Sequence, residues 1–311
     1  MSDIDKTLAA VAARQHSLIT LADIAKAKGH RNLGTRRVKA GRWEQPYEGV
    51  YRIAGAPWTW EARVLALVFA GGDGAVASHR CALRLYGLGN RRAAPEITVK
   101  RGTEFRSKKY GVHTSTDLEL VRPTRRNRIP VTDPARTLLD AARRLGTKEL
   151  TSVVAEARRK HLVTWHDLIA CVAAHARRGR PGIRRMRTLI AAGVDNDGIT
   201  DTDSELAALG LLREYGFGEP KLQHRIYEDD GERLVAEMDA AYLPEKLNLE
   251  IDGPVHLRPE VRLRDERRDQ MLRRIYGWTV RRIWWTIPVK EPELFVQIVR
   301  EAFEEARSKQ R

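Results

Sequence analysis

Residues 237–253, EMDAAYLPEKLNLEIDG, decide how the C-terminal third of the chain is read. Two runs within and around this stretch, Val235 to Tyr242 and Leu247 to Ile251, have the apolar content of core β-strands, yet they carry Glu237, Asp239, Glu250 and, at the end, Asp252. A carboxylate inside a strand core costs free energy or changes its pKa unless something positive compensates it. Strand alternation puts Val235, Glu237 and Asp239 on one face. It puts Asn248, Glu250 and Asp252 on the face opposite Leu247, Leu249 and Ile251. A hairpin through Leu-Pro-Glu-Lys then brings Asp239 close to Glu250 and Asp252. Clustered oxygens of this kind suit a hard divalent ion, Mg²⁺ with Mn²⁺ as substitute, which in phosphodiester hydrolysis orients water and neutralises phosphate.

Outward from this stretch, the order is a helix over 203–215, strands over 221–227, 234–242 and 247–251, a helix over 261–276 closed by Gly277, a strand over 279–284 and a helix over 291–305. EDDGE between the first two strands is a hairpin signal. The last helix carries a broad apolar stripe through Leu294, Phe295, Ile298, Val299, Ala302 and Phe303. An αβββαβα order predicts a three-layer α/β domain with a mixed sheet. Local explanations exist for some of the acids. Glu205 stands three residues after Thr202 in a capping-box pattern, Glu237 suits the solvent side of an edge strand, and Asp265 and Asp269 suit i,i+4 ion pairs on an arginine-rich helix.

At 311 residues and 42% hydrophobic content the chain is long enough for two or three domains. It has no apolar run long enough to span a bilayer, and MSDIDKTLAAVAARQ lacks the apolar core of a signal peptide, so a cytoplasmic protein without a membrane partner is expected. Cys81 and Cys171 lack metal-ligand spacing and read as core thiols. The net charge of +15 is unevenly placed: residues 1–200 hold 37 Lys+Arg against 18 Asp+Glu, residues 201–311 hold 19 against 23. A basic front with an acidic rear points to a polyanionic partner for the front, DNA before membrane.

The front begins with helix patterns over 4–14 and 20–28, the second opened by a Thr20-x-x-Asp23 box. Gly29 breaks the chain. A third helix from Arg31 to Gly41 carries Arg31, Arg36, Arg37 and Lys39, with Arg42 just after it, and RWEQPYEGVYRI continues as a two-stranded ribbon. This is the winged helix-turn-helix order, in which the basic helix enters the DNA major groove, and those five side chains are the expected DNA contacts. Strands over 95–100, 110–116 and 118–124 and helices over 133–145, 147–160, 164–176 and 182–192 make a mixed α+β middle. Six arginines over 176–187 suit either phosphate contact or a solvated helix junction. His79 and His113 read as single structural histidines. The expected domains are therefore 1–56 (winged helix-turn-helix), 57–195 (mixed α+β) and 200–311 (three-layer α/β), an α+β multidomain chain with a boundary at DNDGIT, 195–200.

Two resemblances accompany this reading. SLITLADIAKAKGHRNLGTRRVKAGRWEQPYEGVYRI (17–53), VASHRCALRLYGL and IPVTDPARTLLDAA resemble the N-terminal half of AbiEi-type antitoxins. SELAALGLLREYGF, AEMDAAYLPEKLNLEIDGPVHL and RDERRDQMLRRIYGWTVRRIWW resemble domains related to the very-short-patch-repair endonuclease, within the PD-(D/E)xK superfamily and its restriction-endonuclease-like fold. The second resemblance implies Asp239 and Glu250 as metal ligands, Asp252 as an acid in or next to the metal site, Glu205 as an additional acid and His256 as a general acid/base or water-positioning group. The superfamily's lysine position is occupied here by Asp252, so water activation would pass to His256, to a second metal, or to nothing. Two functions are expected: a DNA-binding protein with a divalent-metal-dependent nuclease-like domain that hydrolyses DNA phosphodiesters, or a non-enzymatic antitoxin-like transcriptional regulator, with a cognate toxin as partner and an inactive nuclease-fold domain.

Overall fold

Thr20 opens its helix as expected: its hydroxyl accepts from the Asp23 amide and the Asp23 carboxylate accepts from the Thr20 amide. In the computed structural model, which describes residues 2–90, 92–120, 124–194, 199–228, 233–253 and 259–310, the chain is a mixed α/β protein with several sheets. It divides into two compact units, residues 1–163 and 164–311.

The first unit starts with α1 (Asp3–Arg14), β1 (Leu18–Thr20), α2 (Leu21–Lys26), α3 (Leu33–Lys39), β2 (Trp43–Tyr47) and β3 (Val50–Ile53). The strands form an antiparallel sheet ordered β1-β3-β2. Leu8 and Ala12 from α1, Ile24 from α2, and Ile19, Trp43 and Tyr51 from the strands make its core. Gly34 lets α3 lie directly on the sheet, because a Cβ there would sit 2.2 Å from Tyr51 Cζ. Gly34→Ala is expected to cost about 1–3 kcal/mol by overpacking, read as a lower denaturation midpoint with loss of amide protection in β3.

The rest of this unit comprises α4 (Trp60–Ala70), β4 (Val76–Ala77), α5 (His79–Leu85), β5 (Glu96–Lys100), β6 (Gly111–Ser115), a 3₁₀ turn at Leu118–Leu120, β7 (Thr124–Arg126), β8 (Ile129–Val131), α6 (Pro134–Ala141) and α7 (Thr147–Arg159). The five strands are ordered β6-β5-β4-β8-β7, with β5 and β6 parallel and β4 between antiparallel β5 and parallel β8. The strand expected over 118–124 is not continuous: its start is the 3₁₀ turn, β7 begins at Thr124, and residues 121–123 lie outside the described residues. Residues 1–56 and 57–163, expected as separate domains, belong to one unit, with Tyr47 of β2 edge-on to Phe105 at 5.8 Å.

The second unit comprises α8 (Trp165–His175), α9 (Ile183–Gly193), α10 (Asp201–Glu214), β9 (Lys221–Tyr227), β10 (Leu234–Tyr242), β11 (Leu247–Asp252), α11 (Pro259–Arg274), β12 (Thr279–Trp284), α12 (Ile287–Lys290) and α13 (Pro292–Ser308). The expected boundary at 195–200 is displaced to residue 163, because α8 packs on α10 and α9 on α12. Gly210 of α10 crosses α8 so closely that a Cβ would meet the Ala173 Cα at 2.7 Å, and Lys290 Nζ donates to the Ala191 carbonyl at 3.1 Å. The sheet is ordered β12-β11-β10-β9, with β11 and β12 parallel and the other pairs antiparallel. One face packs against α10 and α13 through Leu211, Leu212, Leu249, Phe295 and Val299. The other holds Ala236, Met238, Leu272, Trp278 and Val280. The short α12 between β12 and α13 is an addition to the expected order, and the EDDGE turn falls largely outside the described residues. Among the described residues no helix is long and apolar enough to cross a membrane.

Candidate functional site

The strand carboxylates separate instead of converging. Ala236 and Met238 face the Leu272 side of the sheet, whereas Ala240, two residues on, packs with the opposite core, and Ala241 returns to the first side. The change of side falls at Asp239, opposite Gln223 of β9, whose φ is +49°, while the pairing with β9 stays in register there and shifts only between Leu234 and Ala236. Asp239 consequently opens on the α10 side, where it lines a cavity of about 290 Å³ with Glu205, Leu209, Leu222, Gln223 and Phe295. It is exposed, and its Oδ2 accepts from the Ile251 amide at 3.4 Å.

Glu250 faces the other way and is 3% exposed. Its Oε1 accepts from Asn248 Nδ2 at 2.8 Å, and its Oε2 from Arg268 at 2.6 Å, with Arg282 at 2.9 Å. Both oxygens of half-buried Asp252 lie 2.9 Å from Arg282 Nη1. Arg282 also holds Asp269 through Nε at 2.8 Å and Nη2 at 2.9 Å, with Asp265 3.6 Å from Nη1. The charge that compensates Glu250 and Asp252 is thus arginine, supplied by α11 and β12. Burial pushes the Glu250 carboxyl above its ordinary value against the pull of Arg268 and Arg282. Desolvation works against the Arg282 charge, but hydrogen bonds and charges from Asp269, Glu250 and Asp252 outweigh it and raise its pKa.

These residues do not fit a Mg²⁺ or Mn²⁺ site built on Asp239, Glu250 and Asp252. A hard cation needs carboxylate oxygens turned to one point. Here Asp239 lies on one side of the sheet, while guanidinium groups occupy the oxygens of Glu250 and Asp252 on the other. His256 lies outside the described residues. Glu205 is not the capping residue expected with Thr202: α10 is capped by Thr200 and Asp203. Glu205 is exposed on the cavity rim, its carboxyl raised by burial and then by the neighbouring charges of Asp239 and Asp201. Glu237 is engaged by Arg225 at 2.7 Å, on a strand that lies inside the sheet and not at its edge.

In the first unit Arg31, Arg36, Lys39 and Arg42 are exposed on and around α3. Arg37 differs: it is half-buried, ion-paired with Asp5 of α1 and placed over the Trp43 ring. It therefore anchors the helix. Among the six arginines of 176–187, Arg187 pairs with Glu214 at 2.5 Å and Arg180 donates to the His175 carbonyl at 3.0 Å, while Arg177, Arg178, Arg184 and Arg185 are exposed.

One assembly has no counterpart in the sequence reading. His79 and His113, read as single histidines, stack at 3.7 Å between ring centroids and share Glu96. Burial holds His79 down at about 3, with further lowering from His113. The residues are 34 positions apart, and only the β4-β5-β6 pairing joins them.

No family model matches the chain, and no curated protein matches it. Among solved structures, the crystal structure of RV2827C protein from Mycobacterium tuberculosis is similar at a TM-score of 0.41 and 14% identity, over 75% of this chain and 92% of that one.

Proposed function

We propose that this chain is a DNA-binding protein that reads DNA with α3 and the β2–β3 hairpin in winged-helix fashion, and that its C-terminal unit is a scaffold and not a nuclease. The observation that carries the reading is the placement of Arg31, Arg36, Lys39 and Arg42. All four are exposed around a helix whose inner side is fixed by Gly34 against Tyr51 and by Arg37 against Asp5. Cations held on a rigid element can meet phosphates and base edges, while the anchored residues set the angle of the helix. The positive charge of residues 1–200 supports the same partner. Guanidinium groups on Glu250 and Asp252, with aspartate at the superfamily's lysine position, support the non-enzymatic, antitoxin-like form of the reading. A toxin encoded by an adjacent gene is its expected partner.

The test is fluorescence anisotropy with DNA from upstream of the protein's own gene, against a shuffled duplex, across a salt series. Wild type is expected to prefer its own sequence. Arg36→Ala and Arg42→Ala are expected to weaken binding, and the slope of log K against log salt should fall by about 0.9 for each phosphate no longer neutralised. Wild type that binds no DNA, or variants with unchanged affinity and slope, would remove α3 from the reading. A plasmid-nicking arm with Mg²⁺ and Mn²⁺ is expected to show no cleavage. Cleavage by wild type that disappears in Asp239→Asn would restore the nuclease reading.

A further inference from the structure

His79, Glu96 and His113 come from three different segments of the first unit: the first residue of α5, just beyond β4, the first residue of β5 and the middle of β6. Parallel pairing of β5 with β6 sets Glu96 opposite Gly111 and Thr98 opposite His113, so that the His113 ring reaches back to the acid. His113 Nε2 is 3.0 Å from Glu96 Oε2, and one donor atom from each of the three side chains lies within 4.8 Å of the others. His79 and Glu96 are each 8% exposed. Arg144 stands 3.9 Å from the Glu96 carboxylate and is itself half exposed, which makes it a loose partner for a buried acid.

Two further details make this a site and not a chance meeting. His79 opens α5 with a φ of +55°, a left-handed conformation that a side-chain-bearing residue adopts rarely, and its ring stacks on that of His113. Its Nδ1 is 2.9 Å from Ser78 Oγ, which in turn accepts from Thr98 Oγ1 at 2.7 Å. With the Nδ1 proton assigned to Ser78, the lone pair is on His79 Nε2. This is the outer-shell arrangement that orients metal-ligating histidines. Two imidazoles and one carboxylate are the ligand set of zinc sites that keep a fourth position open. Tetrahedral bonds of about 2.0–2.1 Å place donors about 3.4 Å apart; His113 Nε2 and Glu96 Oε2 are 3.0 Å apart and all three donors lie within 4.8 Å, and one of the stacked rings must turn for both imidazole lone pairs to meet one ion.

We propose that His79, Glu96 and His113 bind a borderline divalent transition metal, Zn²⁺ in the first instance, which ties the start of α5 to β5 and β6. The site is separate from the DNA-binding reading and from the C-terminal carboxylates. Nitrogen donors set it apart from a Mg²⁺ site.

The experiment is a calorimetric titration of Zn²⁺ into the chelator-treated full chain. One saturable equivalent per chain is expected for wild type, with affinity at least about tenfold weaker in His113→Gln and in Glu96→Gln, and no saturable uptake of Mg²⁺ at this site. Because a variant could fail to fold, histidine ring signals are followed by NMR in the wild type, where one equivalent of Zn²⁺ is expected to shift those of His79 and His113. Absence of one-equivalent uptake, unchanged affinity in both folded variants, or ring signals of His79 and His113 that do not move would each overturn the proposal.

Discussion

Replacing Arg282 by methionine is expected to destabilise the C-terminal unit by about 3–5 kcal/mol. One guanidinium here serves Glu250, Asp252 and Asp269 at 2.9 Å or less, with Asp265 at 3.6 Å, and Glu250, Asp265 and Asp269 are all buried. Methionine fills similar space but leaves those carboxylates mutually repelling, with Arg268 still beside Glu250. The loss has a pH signature whose sign is set by the acids. Burial already raises Glu250 above its ordinary 4.5, and losing Arg282 raises it further. The penalty is therefore full at neutral pH and shrinks as pH falls and Glu250 protonates. Arg282→Lys keeps the charge without the planar fork and should fall between. Arg225→Ala, which breaks the exposed pair with Glu237, should change little. Hydrogen exchange at the β11 amides gives the measurement for this unit alone. An Arg282→Met protein with wild-type protection at neutral pH would show that the network is not holding the strands.

Phe295→Ala is expected to cost about 3–5 kcal/mol, through packing in place of charge. Phe295 is fully buried in the core between the sheet, α10 and α13, and it also forms part of the wall of the cavity of about 290 Å³. Truncating it extends an existing space that the sheet on one side and two helices on the other cannot close. The cost should appear as a lower denaturation midpoint with an unchanged dependence on denaturant. Recovery of most of the stability in Phe295→Leu is expected, since leucine refills much of the vacated volume. A Phe295→Ala midpoint equal to wild type would mean that the cavity wall collapses around the deletion.

Local signals in the residues serve well: the Thr20–Asp23 cap, the helices over 147–159, 165–175 and 183–193, and strands β5, β6, β9, β10 and β11 all lie close to where periodicity puts them. β4 and β8 are two and three residues long, too short to display any period, and exist because neighbouring strands supply their partners. Asp265 and Asp269 read as partners of arginines one helical turn away, and Arg268 of the same helix does lie 4.0 and 3.9 Å from them, but the closer cation they share is Arg282, on a strand beyond the helix. Alternation alone predicts Asp239 and Glu250 on facing positions. A change of side between Met238 and Ala240 reverses that, and nothing in AEMDAAY announces it. The histidines are invisible as a group for the same reason, since the pairing that joins them is far from either one's neighbours in the chain.

The parallel pairing of β11 with β12 has a further consequence for how the second unit comes together. Leu247 lies opposite Thr279, so the chain must close a long loop containing the whole of α11 before the strands can join. Until then Glu250 has no Arg282, and an early intermediate holding only the β9–β10–β11 meander would leave that acid facing an unfinished core. Such a state is disfavoured electrostatically as well as by its exposed apolar face, so assembly should wait for the last strand and then proceed in one concerted step. A ribosome releasing this protein would hold the C-terminal unit unfolded until residues beyond 284 had emerged.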